Sequence, residues 1–181
     1  MDKRTVTVAS ATAIAFLFSA AGMAGAKEAS AADVAAKATA AMKDAEGNSV
    51  GTVAFEQGAQ GTVVHARLTD LPPGTHAFHV HETGKCEAPE FTSAGGHYNP
   101  TDQAHGFFAD DGYHVGDLPN IHVSESGTLE IEFFSEQLKL DDNVFDSDES
   151  AILIHAGTDD YRTDPAGDAG ERVACGVIER D

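Results

Sequence analysis

The chain has 181 residues, with 30 acidic and 11 basic side chains, a formal charge of −19 at neutral pH and a pI near 4.6. This length suits one domain with a substantial core. The negative charge excludes a nucleic-acid phosphate backbone or an anionic lipid surface as a partner, because both would repel the chain.

Residues 1–26 have the pattern of a cleaved secretory signal peptide. Lys3 and Arg4 give a positively charged start, and a run of apolar and small residues follows. Two A-x-A sites place the cleavage after Ala26 or after Ala31. The alternative is an uncleaved anchor helix, since the apolar run is nearly long enough to span a bilayer. We therefore expect an exported protein, periplasmic or secreted, with no stable membrane insertion after signal removal.

Residues 27–35 are predicted to be a mobile leader, and residues 36–181 the functional domain. Within the domain, short segments bounded by turn residues predict strands. The candidates are Ala36–Met42, Val50–Gln57, Thr62–Leu71, Thr75–Glu82, Asn120–Val123, Thr128–Phe134, Ala151–His155 and Arg172–Glu179. Because no amphipathic helix separates them, they favour an all-β, antiparallel barrel or sandwich. Two long stretches without strand character, Thr83–Pro119 and Ala156–Glu171, are predicted to be functional loops.

The chain contains two cysteines, Cys86 and Cys175. In an oxidising compartment, two cysteines most simply form one disulfide. Such a bond would close a loop of about 90 residues and remove chain entropy worth roughly 4–5 kcal/mol from the unfolded state. The alternative is two buried free thiols, which suit a reducing compartment better than an exported protein.

The strand candidate Thr75–Glu82 carries two histidines, His79 and His81. Residues two apart on a strand point to the same face, so both imidazoles can meet one metal ion. By itself an H-x-H pair is a weak indication of metal binding, because polar strand faces often carry such pairs.

The first long loop carries four more candidate ligands, His97, His105, His114 and Asp117. Three imidazoles and one carboxylate suit a tetrahedral zinc site. The alternative is a set of scattered, solvent-exposed histidines on a glycine-rich loop. His155 ends an apolar strand candidate, where a lone histidine is usually structural.

These ligands stand within longer motifs that together resemble the copper/zinc superoxide dismutase family. The motifs occur in the family's order and with its ligand spacing, and they are Gly74-Thr75-His76-Ala77-Phe78-His79-Val80-His81, Gly84-Lys85-Cys86, Ala94-Gly95-Gly96-His97-Tyr98-Asn99-Pro100, His114-Val115-Gly116-Asp117-Leu118 and Arg172-Val173-Ala174-Cys175-Gly176-Val177-Ile178. The resemblance covers residues 36 to 179. It implies an eight-stranded antiparallel Greek-key barrel or sandwich with two long functional loops.

The family pattern also implies a role for each matching residue of this chain. The implied copper ligands are His79, His81, His97 and His155. The implied zinc ligands, among which His97 bridges the two metals, are His97, His105, His114 and Asp117. The remaining implied roles are an arginine beside the copper, Arg172, two residues that orient ligand rings, His76 and Asp159, and the disulfide Cys86–Cys175.

The resemblance further implies a superoxide dismutase with one copper and one zinc per chain. In the implied reaction, copper redox cycling converts two superoxide anions and protons into O₂ and hydrogen peroxide, and zinc holds the bridging histidine. Arg172 and His97 take the catalytic roles. The alternative is an exported copper- and zinc-binding buffer or donor with little turnover. Arg172 favours the enzyme, because a buffer has no need of an anion-binding arginine.

Three features depart from the family pattern. Ala77 stands where family members usually carry glycine, and Phe107 and Phe108 place apolar bulk in the first long loop. The loop Ala156–Glu171 is acidic, with Arg162 as its only basic residue, so a lysine that guides the anion in some relatives has no clear counterpart. The sequence does not decide between a monomer and a homodimer, because no contiguous apolar face stands out.

Overall fold

The computed structural model describes residues 36–110 and 112–181. Within these ranges the chain forms nine β-strands, one 3₁₀ turn at Thr92–Ala94 and no α-helix. The strands are β1 Lys37–Asp44, β2 Ser49–Gln57, β3 Thr62–Leu68, β4 Gly74–His76, β5 Phe78–His81, β6 Ile121–Val123, β7 Leu129–Ser135, β8 Ala151–His155 and β9 Arg172–Arg180. The predicted signal peptide (1–26) and leader (27–35) lie outside the described residues.

The pattern of side chains along each strand decides which faces are buried. In β1, Ala38, Ala40 and Met42 are buried, while Lys37, Ala41 and Lys43, which alternate with them, are exposed. Such alternation gives a sheet one apolar and one polar face. By contrast, β5 and β8 are buried along their whole length, so the histidines on these two strands lie in the interior.

Seven strands form one antiparallel sheet in the order β5-β8-β9-β1-β2-β3-β7, and β4 pairs with β6 in a separate ribbon. After β3 the chain passes to the opposite edge of the large sheet at β5, and after β7 it returns to place β8 between β5 and β9. These two crossings make an antiparallel Greek key. The predicted all-β, antiparallel fold is confirmed.

Most strand candidates match the observed strands to within one or two residues, and two differ by more. The candidate Thr75–Glu82 divides at Ala77, whose N–H donates to the Gly157 carbonyl at 2.8 Å and whose carbonyl accepts from the His155 N–H at 3.0 Å. The prediction of one continuous strand was wrong, because local alternation cannot reveal partners so far along the chain, and the structure has nine strands instead of eight. The third candidate ends at Leu68, before the positive φ of 57° at Asp70 turns the chain.

The outer edge of β5 is covered by the first long loop. The Val80 N–H donates to the Gly116 carbonyl at 2.9 Å, and the Val80 carbonyl accepts from the Tyr98 N–H at 2.8 Å. Isolated bridges also pair His81 with His97 and place Asp117 opposite β5. A Cβ at Gly116 would collide with the Val80 carbonyl, so this close approach requires glycine. The loop thereby brings its own ligand candidates to the histidine-bearing strand.

The disulfide Cys86–Cys175 is present, with 5.6 Å between the two Cα atoms. The predicted pairing is confirmed. It joins the first long loop to β9, and Cys175 is buried in a small apolar cluster with Phe91, Ala94 and Leu153. Within residues 36–110 and 112–181, no helix has the length and hydropathy needed to cross a membrane.

Candidate metal centre

Four histidine rings meet at one buried point, and we call them the four-histidine cluster: His79, His81, His97 and His155. Each ring offers one nitrogen, and these nitrogens all lie within 4.8 Å of one another. β5 supplies two of the rings, the loop docked on its edge supplies the third, and β8 supplies the fourth. The lone strand-end histidine, whose local pattern was ambiguous, therefore lies with the H-x-H pair.

The position of His155 follows from an irregularity between β8 and β9. The pairing of the two strands shifts register between Ile154 and His155, where His155 lies opposite Arg172. At this point the His155 ring stacks against that of His81, with 3.4 Å between their Nε2 atoms. The shift brings a fourth nitrogen to the cluster.

The hydrogen bonds of the outer ring nitrogens determine which nitrogens keep a lone pair. His81 Nδ1–H donates to the Gly95 carbonyl at 3.0 Å, and His155 Nδ1–H donates to the Gly170 carbonyl at 3.3 Å. In a neutral imidazole the second nitrogen is then an acceptor, so two lone pairs face each other across the short Nε2–Nε2 distance. A metal cation that accepts both lone pairs would remove this repulsion.

The other two rings of the four-histidine cluster present unpartnered nitrogens. His79 Nε2–H donates to Asp159 Oδ2 at 2.8 Å, which leaves the lone pair on its Nδ1. His79 Nδ1 and His97 Nε2 are buried and have no hydrogen-bond partner in the part of the chain that the structure describes. A buried polar atom without a partner is unfavourable unless a ligand occupies the space in front of it. Four inward nitrogen lone pairs suit copper, for which imidazole is a preferred ligand.

A second buried group, which we call the mixed cluster, consists of His97, His105, His114 and Asp117. Asp117 Oδ1 lies 2.8 Å from His97 Nδ1, 3.1 Å from His105 Nδ1 and 3.2 Å from His114 Nδ1. Its other oxygen accepts the N–H groups of Gly106 and His114 at 2.9 and 3.2 Å, which fixes the carboxylate. Three imidazole nitrogens and one carboxylate oxygen are a tetrahedral donor set that suits zinc.

His97 belongs to both clusters. Its Nδ1 faces Asp117 in the mixed cluster, and its unpartnered Nε2 faces the four-histidine cluster. One imidazole can therefore donate a lone pair to each of two metal ions, once its ring proton has left.

Asp159 links the two clusters from the other side. Its Oδ2 accepts from His79 Nε2–H at 2.8 Å and its Oδ1 accepts from His105 Nε2–H at 3.0 Å. Asn120 holds this aspartate through two bonds, because its amide Nδ2 donates to the Asp159 carbonyl at 2.9 Å and its Oδ1 accepts the Asp159 N–H at 2.9 Å. These bonds attach the second long loop to the residue that directly precedes β6.

His76 lies behind the clusters and joins neither of them. Its Nδ1 is 2.8 Å from the His155 carbonyl oxygen, and its Nε2 is 2.8 Å from the Pro72 carbonyl oxygen. With both ring nitrogens facing backbone oxygens, His76 supports the backbone that carries the His155 ring.

Arg172 opens β9 and lies beside the four-histidine cluster. Its Nη1 donates to the Phe91 carbonyl and its Nη2 to the Gly95 carbonyl, both at 2.6 Å. Burial lowers the pKa of its guanidinium. Arginine nevertheless stays protonated in proteins, so a positive charge is held beside the cluster. Arg172 also lines a surface cavity of about 730 Å³ whose other lining residues include Asp44, Glu46, Asp70, Glu90 and Glu171.

The four-histidine cluster disfavours protons. Burial lowers the pKa of His79 and, together with repulsion from His97 and Arg172, lowers that of His81 well below its ordinary value. Burial also lowers the pKa of His97 to about 4, against the opposing hydrogen bond to Asp117. Burial and repulsion from His79 lower the pKa of His155 to about 3. All four rings are therefore neutral near pH 7, as metal ligands must be.

The mixed cluster, by contrast, holds a proton when no metal is bound. Burial lowers the pKa of His105, but its hydrogen bonds to Asp117 and Asp159 outweigh burial and raise the pKa to about 9. Burial raises the pKa of Asp117, but hydrogen bonds from His105, His114 and His97 outweigh it and hold the pKa well below its usual range. The fixed negative charges of the site thus lie on this side.

Several contacts of the centre are absent from the sequence-based prediction. The carbonyls of Phe91, Gly95 and Gly170 orient Arg172 and two ligand rings, and Asn120 holds Asp159. Backbone carbonyls carry no sequence signal. The only sequence signal for Asn120 is its place three residues after Asp117.

The chain matches the family model described as copper/zinc superoxide dismutase over residues 49–178. It is 39% identical over 139 residues to superoxide dismutase [Cu-Zn] 1 of Aquifex aeolicus, which covers 74% of this chain and 82% of the relative. It is also 39% identical over 148 residues to superoxide dismutase [Cu-Zn] of Caulobacter vibrioides, which covers 78% of this chain and 85% of that one.

Solved structures with the same fold give the same assignment. A superoxide dismutase-like protein from Bacillus subtilis superposes with a TM-score of 0.74 at 36% identity, covering 77% of this chain and 96% of that one. The Cu/Zn superoxide dismutase from Brucella abortus superposes with a TM-score of 0.67 at 31% identity, covering 79% and 99%. With the family match spanning most of the chain, this protein belongs to the copper/zinc superoxide dismutase family.

Proposed function

We propose that this chain is a superoxide dismutase, an oxidoreductase that converts two superoxide anions and two protons into O₂ and hydrogen peroxide. The observation that carries the proposal is His97, which offers one nitrogen to each of two buried clusters next to a positively charged Arg172. A site that only stores metal does not need an imidazole shared between two ions or an arginine held at its edge.

Two metals fit the residues present. Copper would be held by Nδ1 of His79 and by Nε2 of His81, His97 and His155, the nitrogens left with inward lone pairs. Zinc would be held by Nδ1 of three imidazoles and by the carboxylate of Asp117. Copper, when bound, supplies reversible one-electron exchange with superoxide, which zinc cannot supply because it has no redox chemistry.

Arg172 is assigned the binding of the anion. Its two carbonyl contacts fix the guanidinium while leaving other N–H groups of the fork free to donate to a small anion. The four-histidine cluster itself contains no carboxylate, because Asp159 and Asp117 contact only the outer nitrogens of His79 and His97. Arg172 shares the Gly95 carbonyl with His81 and is the positive charge held beside the cluster. Local charge of this kind acts over a few ångströms, whereas the formal charge of −19 is spread over the chain and screened by salt.

His97 is assigned a second role, the movement of a proton. Its Nε2 is buried and has no hydrogen-bond partner within residues 36–110 and 112–181, so a proton on this atom faces the reaction site. Its Nδ1 is held toward Asp117, which keeps the ring in place while the Nε2 atom gains or loses the proton. Hydrogen peroxide formation consumes protons, and His97 Nε2 is positioned to supply one.

We also propose that residues 1–26 are a signal peptide cut after Ala26 or Ala31, that 27–35 form a leader, and that 36–181 are the exported domain, periplasmic or secreted. The positively charged start and the A-x-A sites support the signal. The disulfide supports an oxidising compartment. Mass spectrometry of the protein recovered from its native cells would identify its first residue, and sedimentation would test for a homodimer.

The experiment that tests the enzyme compares the loaded protein with Arg172→Ala. We expect one copper and one zinc per chain in both, strong dismutation of superoxide by the unmodified protein, and a loss of about ten-fold or more in the variant. Arg162→Ala, which removes an exposed arginine that stacks on Phe108, is the control for lost positive charge. Full metal loading without activity would contradict the enzyme and favour the metal-binding buffer or donor.

A further inference from the structure

Three functional groups depend on one short turn, Gly95–Gly96. The Gly95 carbonyl accepts both from His81 Nδ1–H at 3.0 Å and from Arg172 Nη2–H at 2.6 Å. Gly96 precedes His97, the ring shared by both clusters. A shift of this turn would therefore move a proposed copper ligand, the proposed anion-binding arginine and the bridging ring together.

Glu82 makes two hydrogen bonds with Gly96, one to its backbone carbonyl and one to its backbone N–H. Its backbone N–H donates to the Gly96 carbonyl at 3.0 Å, and its side-chain Oε1 accepts the Gly96 N–H at 2.9 Å. The second bond is charge-assisted, because a carboxylate accepts from a backbone amide. Since Glu82 directly follows His81 on the chain, the strand that presents the His81 ring also fixes the carbonyl that orients it.

The lack of a side chain at Gly95 makes room for the Glu82 carboxylate. Gly95 has a φ of +72°, and a Cβ there would lie 2.6 Å from Glu82 Oε1 and 2.9 Å from its Cγ. Glycine accepts this backbone conformation without strain. The side chain of Glu82 thus packs over the turn in addition to its hydrogen bond.

We propose that Glu82 is a positioning residue of the metal centre, which acts through the Gly95–Gly96 peptide to set the directions of the His81 ring and the Arg172 guanidinium. This inference rests on the proposed function for its catalytic consequence, while its geometric part concerns only the chain's own hydrogen bonds. The Gly95–Gly96 turn requires an acceptor oxygen at the position of Glu82 Oε1. The negative charge strengthens this bond, whereas the position of the oxygen sets the geometry of the turn.

The test compares Glu82→Ala, Glu82→Gln and Glu82→Asp, with Glu87→Ala as control because it removes an equal charge from the same loop. In zinc-loaded, copper-free protein, NMR would measure hydrogen exchange of the Gly96 amide and of His81 Nδ1–H. We expect Glu82→Ala to accelerate both by about ten-fold, as for the loss of one charge-assisted hydrogen bond. Glu82→Gln keeps an acceptor oxygen at the same reach and is expected to restore slow exchange.

In copper- and zinc-loaded protein, the affinity for azide, a small inorganic anion, measures the position of Arg172. We expect Glu82→Ala and Glu82→Asp to bind azide several-fold more weakly, with a changed copper(II) electron paramagnetic resonance spectrum and unchanged metal content. Glu82→Gln and Glu87→Ala should match the unmodified protein. If Glu82→Ala does not fold, Glu82→Asp and Glu82→Gln still test the proposal. The shorter side chain of Glu82→Asp cannot reach the Gly96 amide, whereas that of Glu82→Gln can.

Equal exchange rates and equal azide affinities for Glu82→Asp, Glu82→Gln and the unmodified protein would overturn the inference. An inactive unmodified protein would contradict the proposed function alone, because the exchange measurement in copper-free protein needs no activity.

Discussion

The two halves of the centre, the four-histidine cluster and the mixed cluster, are linked by His97 and Asp159. They differ in whether their histidines are protonated when no metal is bound. In the four-histidine cluster, two outer ring nitrogens donate to backbone carbonyls, which are neutral, and burial keeps the rings uncharged. In the mixed cluster, both nitrogens of His105 face carboxylates, which favour its charged form. His79 and His97 each contact one carboxylate, and burial still lowers their pKa. A metal therefore has to displace a proton from His105, which contacts two carboxylates, and not from the rings of the four-histidine cluster.

The halves also differ in how the fold builds them. His79, His81 and His155 lie on or at the end of buried strands. The mixed cluster is built from the loop between β5 and β6, which is held against β5 by backbone bonds such as that from Val80 N–H to the Gly116 carbonyl. A site on strands is held by the core, whereas a site on a docked loop depends more on its own ligand for order.

The largest effect is expected when one half loses a ligand that the other half does not use. His155→Ala should reduce superoxide dismutation to the background of metal-free protein while one zinc per chain remains, because only the redox metal loses a ligand. His114→Ala should lose zinc but keep copper, with activity lowered by roughly ten-fold because His97 is less firmly held. Elemental analysis and activity of both variants check this.

Loss of both metals from His155→Ala would contradict the view that each half holds its own metal. Loss of copper as readily as zinc from His114→Ala would contradict it equally. Either result would mean that His97 couples the halves so strongly that neither holds metal alone.

The next effect concerns the pH dependence of metal binding. Because zinc must displace the proton of His105, whose pKa is about 9, its affinity should fall about ten-fold per pH unit below pH 9, or about 100-fold between pH 8 and pH 6. Copper affinity should change little over the same range, since His97 and His155 have pKa values of about 4 and 3. Competition with chelators of known affinity measures both.

Each metal has to be titrated alone, because loading of both would also remove the last ring proton of His97. Asp159→Asn serves as the control, since it removes a carboxylate that raises the pKa of His105 without removing a zinc ligand. Its zinc affinity should depend less steeply on pH. An equal pH dependence for zinc and copper in the unmodified protein would contradict the difference between the halves.

The same shifts predict opposite effects on the stability of the metal-free protein. The raised pKa of His105 contributes stability that is fully present below pH 6.5 and is lost as the pH rises through about 9. The lowered pKa values of His97 and His155 contribute stability that is present above pH 6.5 and is lost as the pH falls toward 4 and 3. Thermal unfolding of chelated protein should show the highest Tm near pH 6.5.

The strand-built half was more accessible to sequence analysis than the loop-built half. Alternation along a strand places His79 and His81 on one face, and the lack of alternation marks Thr83–Pro119 as a loop. Convergence of His97, His105 and Asp117 could be predicted only from the family resemblance, because the backbone bonds that dock the loop on β5 carry no local pattern. The fold class followed from strand spacing.

The errors and omissions have a common physical cause. The break at Ala77 depends on bonds to Gly157 and His155, and the positions of Asp159 and of the Gly95 carbonyl depend on Asn120 and Glu82. Each of these contacts joins segments that are distant in sequence or uses backbone atoms. Residue type can indicate that a histidine suits a metal, but the directions of its lone pairs depend on such contacts.

The smallest effect we predict tests the link between the halves through Asp159. Gly167 has a φ of +66°, and a Cβ there would collide with Asp159 Oδ1 and lie 2.8 Å from His105 Nε2. Gly167→Ala should therefore displace the carboxylate that orients His79 and His105, and lower copper affinity by about ten-fold.

Gly170→Ala is the matched control. Gly170 has a similar φ of +75°, but no atom of residues 36–110 and 112–181 would lie within 4 Å of a Cβ at this position. Both variants place alanine in the left-handed region, which costs about 1–2 kcal/mol of stability. Gly167→Ala adds the collision with Asp159, so denaturant unfolding should show the larger loss of stability for this variant. Copper competition should separate them, since only Gly167→Ala moves Asp159. If both variants bind copper equally well, Asp159 stabilises the loop without orienting the ligand rings, and the two halves communicate through His97 alone.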